Sequence, residues 1–159
     1  MLFIWLPCLI AQLVLVLFLG CFNRAGLVVL MFAGWGVWAI SVVLGILPII
    51  VLKRRGGVEK GKSYVHTRKL VTSGLYSIVR HPQYTAGILL SLALVLIGQH
   101  WLVLVLGLIA MPAIYIDIMM ADRHEIKKFG DDYREYMKRV PRTNFLWGIV
   151  KLLIGGRKR

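Results

Sequence analysis

The sequence predicts an all-α protein: a bundle of about four transmembrane helices, with a polar site on the cytoplasmic side and an interfacial helix near the C-terminal end. Of the 159 residues, 58% are hydrophobic, which exceeds the roughly 45–50% of ordinary soluble domains. The apolar residues form continuous runs of the length that a bilayer requires, rather than the alternating pattern of half-buried strands. Because backbone polar groups in a bilayer must be satisfied internally, these runs are expected to be helices.

The elements follow from the apolar runs, and we treat residues 1–159 as a single domain. The predicted spans are residues 2–22, 27–52, 82–97 and 101–121. The first run lacks a charged leading region and is longer than the apolar part of a signal peptide, so it is predicted to be a transmembrane helix. The uncharged turn at 98–100 is short enough to predict a tight antiparallel hairpin. Residues 145–154 are apolar but too short to span, which predicts an interfacial helix.

Charge predicts the topology. The formal net charge is +13, and the basic residues concentrate in the segments 53–81 and 122–159. Cytoplasmic loops of membrane proteins collect Lys and Arg, so we expect both segments and both termini in the cytoplasm. Attraction to anionic lipid headgroups is a second interpretation of the same charge. Nucleic-acid binding is disfavoured, because the charge flanks the spans instead of forming a separate basic domain.

The cysteines offer neither a disulfide nor a metal site. Cys8 and Cys21 both fall in the first predicted helix, on different faces, so a disulfide between them is geometrically excluded. The spacing of Cys and His matches no metal-binding pattern. We therefore expect no metal.

The most informative stretch is residues 68–84, with the sequence RKLVTSGLYSIVRHPQY. Proline is well tolerated in the first turn of a helix, so Pro82 predicts that a helix begins there, with Arg80 and His81 at its N-terminus. Such a position favours an anionic group. The alternative interpretation makes Arg80 a snorkelling cation and Tyr84 a member of an aromatic belt at the membrane surface.

Asp117 is an acid close to the end of the fourth predicted span. An ionisable residue within a span is a functional candidate by default. A structural pairing with Arg123 or Lys69 is an equally good alternative at this position. Apart from Asp117, the spans have almost no polar residues at mid-depth, whereas a transporter would be expected to carry several or to have paired broken helices.

The segment GLYSIVRHPQY, followed by an apolar hairpin and FGDDYREYMKRVPR, resembles the isoprenylcysteine carboxyl methyltransferase family and the related phospholipid N-methyltransferases. The resemblance covers residues 57–147. Within the family, the chain resembles a small prokaryotic-type member. It implies an integral-membrane enzyme, expected in the cell inner membrane, that uses S-adenosylmethionine from the cytoplasm and releases S-adenosylhomocysteine. The expected acceptor is a lipophilic or small hydrophobic molecule, with a carboxylate, thiol or amine, that enters from the bilayer lipid. The alternative is a non-enzymatic membrane scaffold or a small transporter subunit.

The resemblance also assigns residues to a cofactor pocket. These are Arg68, Lys69, Leu70, Val71, Tyr76, His81, Pro82, Tyr84, Asp122 and Glu125, with Arg80 in the same pocket. Arg68 stands where the family often has a histidine, so a backbone role is expected there. Asp122 keeps one of two acids usual in the family and is expected to meet the cofactor's ammonium group. Glu125, one helical turn on, is the alternative acid.

The acceptor side and the chemistry are implied by the same resemblance. The family's substrate-side arginine falls on Asp117 here, and the nearest following cation is Arg123, so both are predicted substrate-binding residues. An amine acceptor must lose a proton before transfer, and His81 is the candidate base. Arg80 and His81 are thus the predicted catalytic residues. The signature from Tyr133 to Arg142 is expected to fold back as a lid and is assigned no chemistry.

Overall fold

The computed structural model describes residues 4–57, 61 and 67–155, and these residues form six α-helices and one short 3-10 helix without any strand. The helices are α1 Trp5–Leu17, α2 Val28–Arg55, α3 Pro82–Gly98, α4 Trp101–Phe129, α5 Asp131–Arg139 and α6 Phe145–Gly155, and the 3-10 helix is Gly74–Ser77. The all-α prediction is confirmed for this part of the chain. The predictions for residue 2, for the middle of the segment 53–81 and for the basic tail beyond residue 155 fall outside the described residues.

Two helices are long and apolar enough to cross a membrane, α2 with 28 residues and α4 with 29. At about 1.5 Å per residue each exceeds the roughly 30 Å of a hydrocarbon core. Large apolar side chains are exposed along both helices, among them Phe32 and Ile46 on α2 and Leu108 on α4. Such exposure fits lipid contact better than the buried core helix of a soluble protein. Both helices continue beyond the predicted spans into polar sequence, α4 until Gly130, which has a φ of 61°.

The first helix is shorter than predicted. Instead of reaching residue 22, α1 ends at Leu17 and has 13 residues, a length of about 20 Å. Gly20 and Asn23 adopt positive φ values of 70° and 45°, a conformation that ends regular helix. Helix length alone therefore supports two spans, and the count of four stays a prediction.

The chain divides into two compact units, to each of which α2 and α4 contribute residues. The first unit comprises residues 1–43 and 84–121. Its core includes a cluster of five buried side chains: Val16, Cys21, Leu94, Ile97 and Val103. Ser91 Oγ donates to Gln12 Oε1 at 2.9 Å, and Gln12 Nε2 donates to the Val103 carbonyl at 2.9 Å. These buried polar groups are uncharged and satisfy one another, as close packing in an apolar environment requires.

The second unit comprises residues 44–83 and 122–159. Its core includes the buried residues Tyr133, Tyr136 and Val140, packed against apolar side chains that include Leu70 and Ile126. The positions of α5 other than the two tyrosines are mainly charged, an amphipathic pattern that predicts one buried face. The face that carries the two tyrosines is indeed buried.

The segment after α5 runs alongside the polar stretch that precedes α3. Backbone N–H groups of Arg80 and His81 donate to the carbonyls of Pro141 and Arg142, at 3.0 and 3.2 Å. Gly148 in α6 lies so close to the Ile78 carbonyl that no side chain fits between them. The N–H groups of Arg80 and His81, immediately before α3, are thus paired with backbone carbonyls.

Candidate active site

A single carboxylate, Asp122, lies at the centre of the polar cluster in the second unit. Its Oδ1 accepts hydrogen bonds from Arg80 Nη1 at 3.1 Å, His81 Nε2 at 2.7 Å and Tyr133 Oη at 2.8 Å. Its Oδ2 accepts from Arg142 Nε at 2.8 Å. Four donors from three separate parts of the chain therefore converge on one side chain of α4.

The cluster is unusually buried for a set of ionisable groups. Arg80 and His81 are each 8% exposed, and Asp122 and Tyr133 are each 3% exposed. Arg142 is more accessible, with 30% of its side chain exposed. Buried charges are tolerated only when they are paired and hydrogen-bonded, which the four contacts to Asp122 achieve.

The surroundings of Asp122 fix its protonation state. Burial on its own raises the pKa of the carboxyl, but the hydrogen bond and charge of His81, the hydrogen bond from Tyr133 and the charge of Arg80 together hold the pKa well below its usual range. The carboxylate is therefore ionised at neutral pH and acts only as an acceptor. It follows that His81 Nε2 carries the hydrogen in its bond to Asp122.

The two tyrosines of α5 act as donors. Burial raises the pKa of the Tyr133 hydroxyl, and the hydrogen bond to Asp122 and its charge raise it further. Burial likewise raises the pKa of Tyr136, whose hydroxyl donates to the carbonyl of Tyr76 at 2.5 Å. Both hydroxyls stay protonated at neutral pH. Neutral donors therefore bind α5 to Asp122 and to the 3-10 helix Gly74–Ser77.

Hydrogen bonding within the cluster is incompletely satisfied. Two guanidinium groups, of Arg80 and Arg142, bind the Asp122 carboxylate. Within the described part of the chain, the buried Arg80 Nε has no hydrogen-bond partner. An unpaired buried donor of a charged group is a feature that an anionic ligand would satisfy.

The other predicted cofactor residues take several positions. In the second unit Val71, Tyr76 and Pro82 are buried, and Leu70 packs against the cluster of Tyr133, Tyr136 and Val140. The side chains of Arg68 and Lys69 are exposed, and their backbone N–H groups donate to the Gly56 carbonyl at 2.8 and 3.1 Å. Glu125 is partly buried, and Arg123 is exposed.

Two predicted residues belong to the first unit. Tyr84 is partly buried and packs against the buried residues Leu9, Ile114 and Ile118. Asp117 is fully buried, and its Oδ2 accepts a hydrogen bond from Trp5 Nε1 at 2.9 Å. An indole donor was not among the partners considered for this carboxylate, because Trp5 lies 112 positions away in the sequence.

Sequence reasoning gave no chemistry to Tyr133 and Arg142, although both donate to Asp122. Neither spacing nor composition identifies such contacts, since the donors lie 11 and 20 positions beyond the acceptor. In the described residues, no group of three or more His, Cys, Asp or Glu side chains is arranged to hold a metal ion.

Two membrane-length helices, together with a buried polar cluster that joins the RHPxY segment to an acid near the end of α4, define a helical membrane-type protein. A family model described as phospholipid methyltransferase matches residues 25–132, so the chain belongs to the phospholipid methyltransferase family. The matched region includes Arg80, His81 and Asp122.

Two curated relatives extend this result. The protein-S-isoprenylcysteine O-methyltransferase of Schizosaccharomyces pombe is 29% identical over 99 residues, which cover 57% of this chain and 42% of that protein. Protein-S-isoprenylcysteine O-methyltransferase B of Arabidopsis thaliana is 26% identical over 100 residues, which cover 57% of this chain and 51% of that protein. The chain thus matches about half the length of these relatives, and no solved structure matches it. The predicted family resemblance is confirmed.

Proposed function

We propose that this chain is a membrane methyltransferase that uses S-adenosylmethionine to methylate a lipophilic or small hydrophobic acceptor. The observation that carries the proposal is the buried Arg80–His81–Asp122 cluster with its unpaired Arg80 Nε, located inside the region matched by the family model. Buried polar groups with unmet hydrogen-bonding capacity concentrate at ligand sites. The names of the two relatives agree with methyl transfer.

The residues present fit this cofactor. Arg80 offers a cationic donor for its carboxylate. Tyr76 and Tyr84 offer aromatic surface for its adenine and its sulfonium. His81, Pro82 and the stretch 68–71 complete the proposed pocket, and Asp122 or Glu125 is the proposed acid. When bound, S-adenosylmethionine supplies a methyl group already activated on a sulfonium centre. The chain's own task is therefore to orient the two reactants and to exclude water.

The acceptor determines whether a base is needed. A carboxylate or thiolate attacks without prior deprotonation, whereas an amine must first lose a proton. For an amine acceptor, His81 is the proposed base. Asp117 and Arg123 remain the proposed acceptor-side residues, and the acceptor would enter from the bilayer.

We place the protein in the cell inner membrane with four spans and with the site on the cytoplasmic side. The distribution of Lys and Arg supports this orientation, because the basic segments flank the apolar helices on one predicted side. Cysteine labelling at Gln99 and at an exposed site such as Lys53 should report opposite sides of the membrane. Labelling of both positions from the same side would contradict the orientation.

Titration calorimetry of the detergent-solubilised chain with S-adenosylhomocysteine tests the function. We expect saturable binding, and Arg80→Ala should weaken it by about 1.5–3 kcal/mol, the range for a charge-assisted hydrogen bond. Arg134→Ala is the matched control, because the Arg134 side chain is 62% exposed and pairs with Asp131 outside the cluster. A folded native chain that binds no S-adenosylhomocysteine would favour a non-enzymatic scaffold or transporter subunit.

If the chain binds S-adenosylhomocysteine, transfer of labelled methyl groups to a membrane lipid extract would identify the acceptor class.

A further inference from the structure

One side of α6 is an exposed apolar stripe. Four large apolar side chains that lie three, four and seven positions apart are exposed there, and Leu153 reaches 70%: Leu146, Ile149, Val150 and Leu153. In a helix, this spacing places all four on the same face. Contiguous exposed apolar surface of this kind marks a site of interaction with a membrane or with another protein.

A different face of α6 attaches the helix to the second unit. Gly148 is buried, and it lies roughly 150° around the helix from the centre of the stripe. Gly148 also lies so close to the Ile78 carbonyl that a side chain would not fit there. The stripe therefore points away from the surface that packs on the second unit.

The charge beside the stripe indicates what covers it. Lys151 is exposed and lies between the stripe and the Gly148 face, with its Nζ 6.0 Å from the centre of the Trp147 ring. Lysine and tryptophan are the side chains that proteins place at the level of lipid headgroups. From Tyr136 to Arg159 the sequence has several Lys and Arg residues but neither Asp nor Glu. An anionic lipid surface would complement both the stripe and this charge.

The dimensions and charge of α6 disfavour other arrangements. The helix has 11 residues and is about 16 Å long, which is roughly half of a hydrocarbon core, so it can lie along a membrane but cannot cross it. A second copy of the chain would bring the same basic residues against the stripe, and like charges repel.

A short stretch of backbone connects α6 to the residues that carry Arg80. Asn144 precedes the helix, and its Oδ1 accepts a hydrogen bond from the Trp147 N–H at 2.9 Å, which fixes the first turn. Three residues earlier, the Pro141 carbonyl accepts from the Arg80 N–H at 3.0 Å. With the contact between Gly148 and Ile78, the segment from Pro141 to α6 thus meets residues 78–80 at two points.

From this arrangement we infer that α6 is a lipid-sensing helix, which docks its stripe and Lys151 on an anionic membrane surface and thereby stabilises the backbone that carries Arg80. Any partner that binds the ordered arrangement better than a loosened one shifts the equilibrium towards it. The contacts between residues 78–80 and the segment that leads into α6 are therefore more stable on an anionic bilayer than on a neutral one. The lipid acts here as a surface and not as the acceptor of a methyl group.

The first test measures docking of α6 in the full chain. The chain is placed in nanodiscs of phosphatidylcholine alone, or of equal parts phosphatidylcholine and phosphatidylglycerol, with a spin label at Leu153→Cys and with Cys8→Ala and Cys21→Ala. Collisions of the label with membrane-soluble oxygen, and with a water-soluble nickel reagent, report its depth. We expect the label to lie in lipid when phosphatidylglycerol is present and to be more accessible to nickel when it is absent.

Lysine variants show whether α6 itself recognises the anionic lipid. Lys151→Gln should make the label accessible to nickel again in the phosphatidylglycerol nanodiscs. Lys138→Gln is the matched control, because it removes the same charge from a lysine of α5 that is 71% exposed and pairs with Glu135. Equal effects of the two variants would overturn the inference, since net charge alone would then explain the response.

The second test measures hydrogen exchange of the Arg80 amide in the native chain, which needs neither a label nor replacement of the cysteines. Phosphatidylglycerol should slow this exchange about fivefold, the shift in equilibrium that one lysine provides near an anionic surface. Lys151→Gln should lose most of this protection, whereas Lys138→Gln should keep it. Because the test uses no cofactor, its result does not depend on whether the chain binds S-adenosylhomocysteine.

Several outcomes would overturn the inference. A label that lies equally deep in both kinds of nanodisc would show lipid contact without a preference for anionic lipid. A label that neither oxygen nor nickel reaches would show that protein, such as a second copy of the chain, covers the stripe. Exchange of the Arg80 amide at the same rate in both kinds of nanodisc would show that α6 does not transmit lipid binding to the backbone around Arg80.

Discussion

The buried network around Gln12 in the first unit and the buried cluster around Asp122 in the second differ in kind. In the first unit the sequence has a single basic residue, Arg24, and a single acid, Asp117, so all other Lys, Arg, Asp and Glu residues belong to the second. Its buried polar network, centred on Gln12 and Ser91, is uncharged. In the second unit the buried polar network is ionic and converges on one carboxylate.

This difference indicates different tasks. Neutral hydrogen bonds between helices fix which faces pack together without placing charge in an apolar surrounding. An ionic cluster is more costly to bury and contributes little stability beyond what an apolar core would give, so its presence points to ligand binding. The comparison predicts that substitutions in the neutral network of Gln12 and Ser91 change stability alone, whereas those in the cluster around Asp122 also change ligand affinity.

The largest expected effect is that of Asp122→Asn. Loss of the carboxylate charge leaves Arg80 and Arg142 close together without their counter-ion, which should lower the free energy of unfolding by about 3–5 kcal/mol. Denaturant unfolding in detergent measures this change. Asp131→Asn, at an exposed carboxylate of α5, is the control and should change the same quantity by less than about 0.5 kcal/mol. An Asp122→Asn variant as stable as the native chain would mean that the cluster is solvated.

The next largest effect is expected for Gly148→Ala. The added methyl group would overlap the Ile78 carbonyl, so α6 must shift away from the segment that leads into Arg80. Overpacking of this kind costs about 1–3 kcal/mol of stability, and we expect weaker S-adenosylhomocysteine binding as well. Gly36→Ala is the control, because a methyl group there meets no atom within 4 Å. Unchanged ligand affinity in Gly148→Ala would show that the position of α6 does not affect ligand binding.

A smaller effect is expected for Ser91→Ala in the first unit. The substitution removes the hydrogen bond to Gln12 Oε1 and should reduce the free energy of unfolding by about 1 kcal/mol. The affinity for S-adenosylhomocysteine, measured under conditions where the variant is folded, should not change. A drop in affinity would show that the neutral network also serves the ligand site, and the contrast between the units would fail.

The smallest effect is a pH dependence in the second unit. Burial, together with the hydrogen bond and charge of Asp122, raises the pKa of Tyr133, so the folded state holds this proton more tightly than the unfolded chain. The stability that results is complete below the ordinary tyrosine pKa of about 10 and is lost as the pH rises toward the folded-state pKa. Tyr133→Phe should therefore show a shallower loss of stability above about pH 10 than the native chain. Equal slopes would indicate that Tyr133 is not buried against a charge.

Sequence reasoning predicted those features that depend on local pattern. Continuous apolar runs predicted helices, and Pro82 predicted the start of α3. The early end of α1 was missed, because the run remains apolar beyond Leu17 and the breaking residues, Gly20 and Asn23, are too few to interrupt a hydropathy pattern.

Contacts between distant segments could not be predicted in the same way. The acid at residue 122 was identified by its place in the family pattern, but its four donors depend on how α5 and the following segment fold back. Arg142 is a basic residue in a basic stretch, so nothing in its surroundings marks it as a partner of a buried carboxylate. The hydrogen bond from Trp5 to Asp117 could not be predicted either, because the two residues lie 112 positions apart in the sequence.

The carbonyls of Pro141 and Arg142 that accept from Arg80 and His81 have a consequence for biosynthesis. The chain is made from its N-terminus, so Arg80, His81 and Asp122 leave the ribosome before the segment that completes their bonding. Until residue 142 has emerged, the nascent chain has an acid and an arginine without their full set of partners beside a forming membrane helix. The cluster around Asp122 can therefore be completed only after residue 142 has emerged, and a nascent chain arrested before that residue should be a good substrate for membrane quality control.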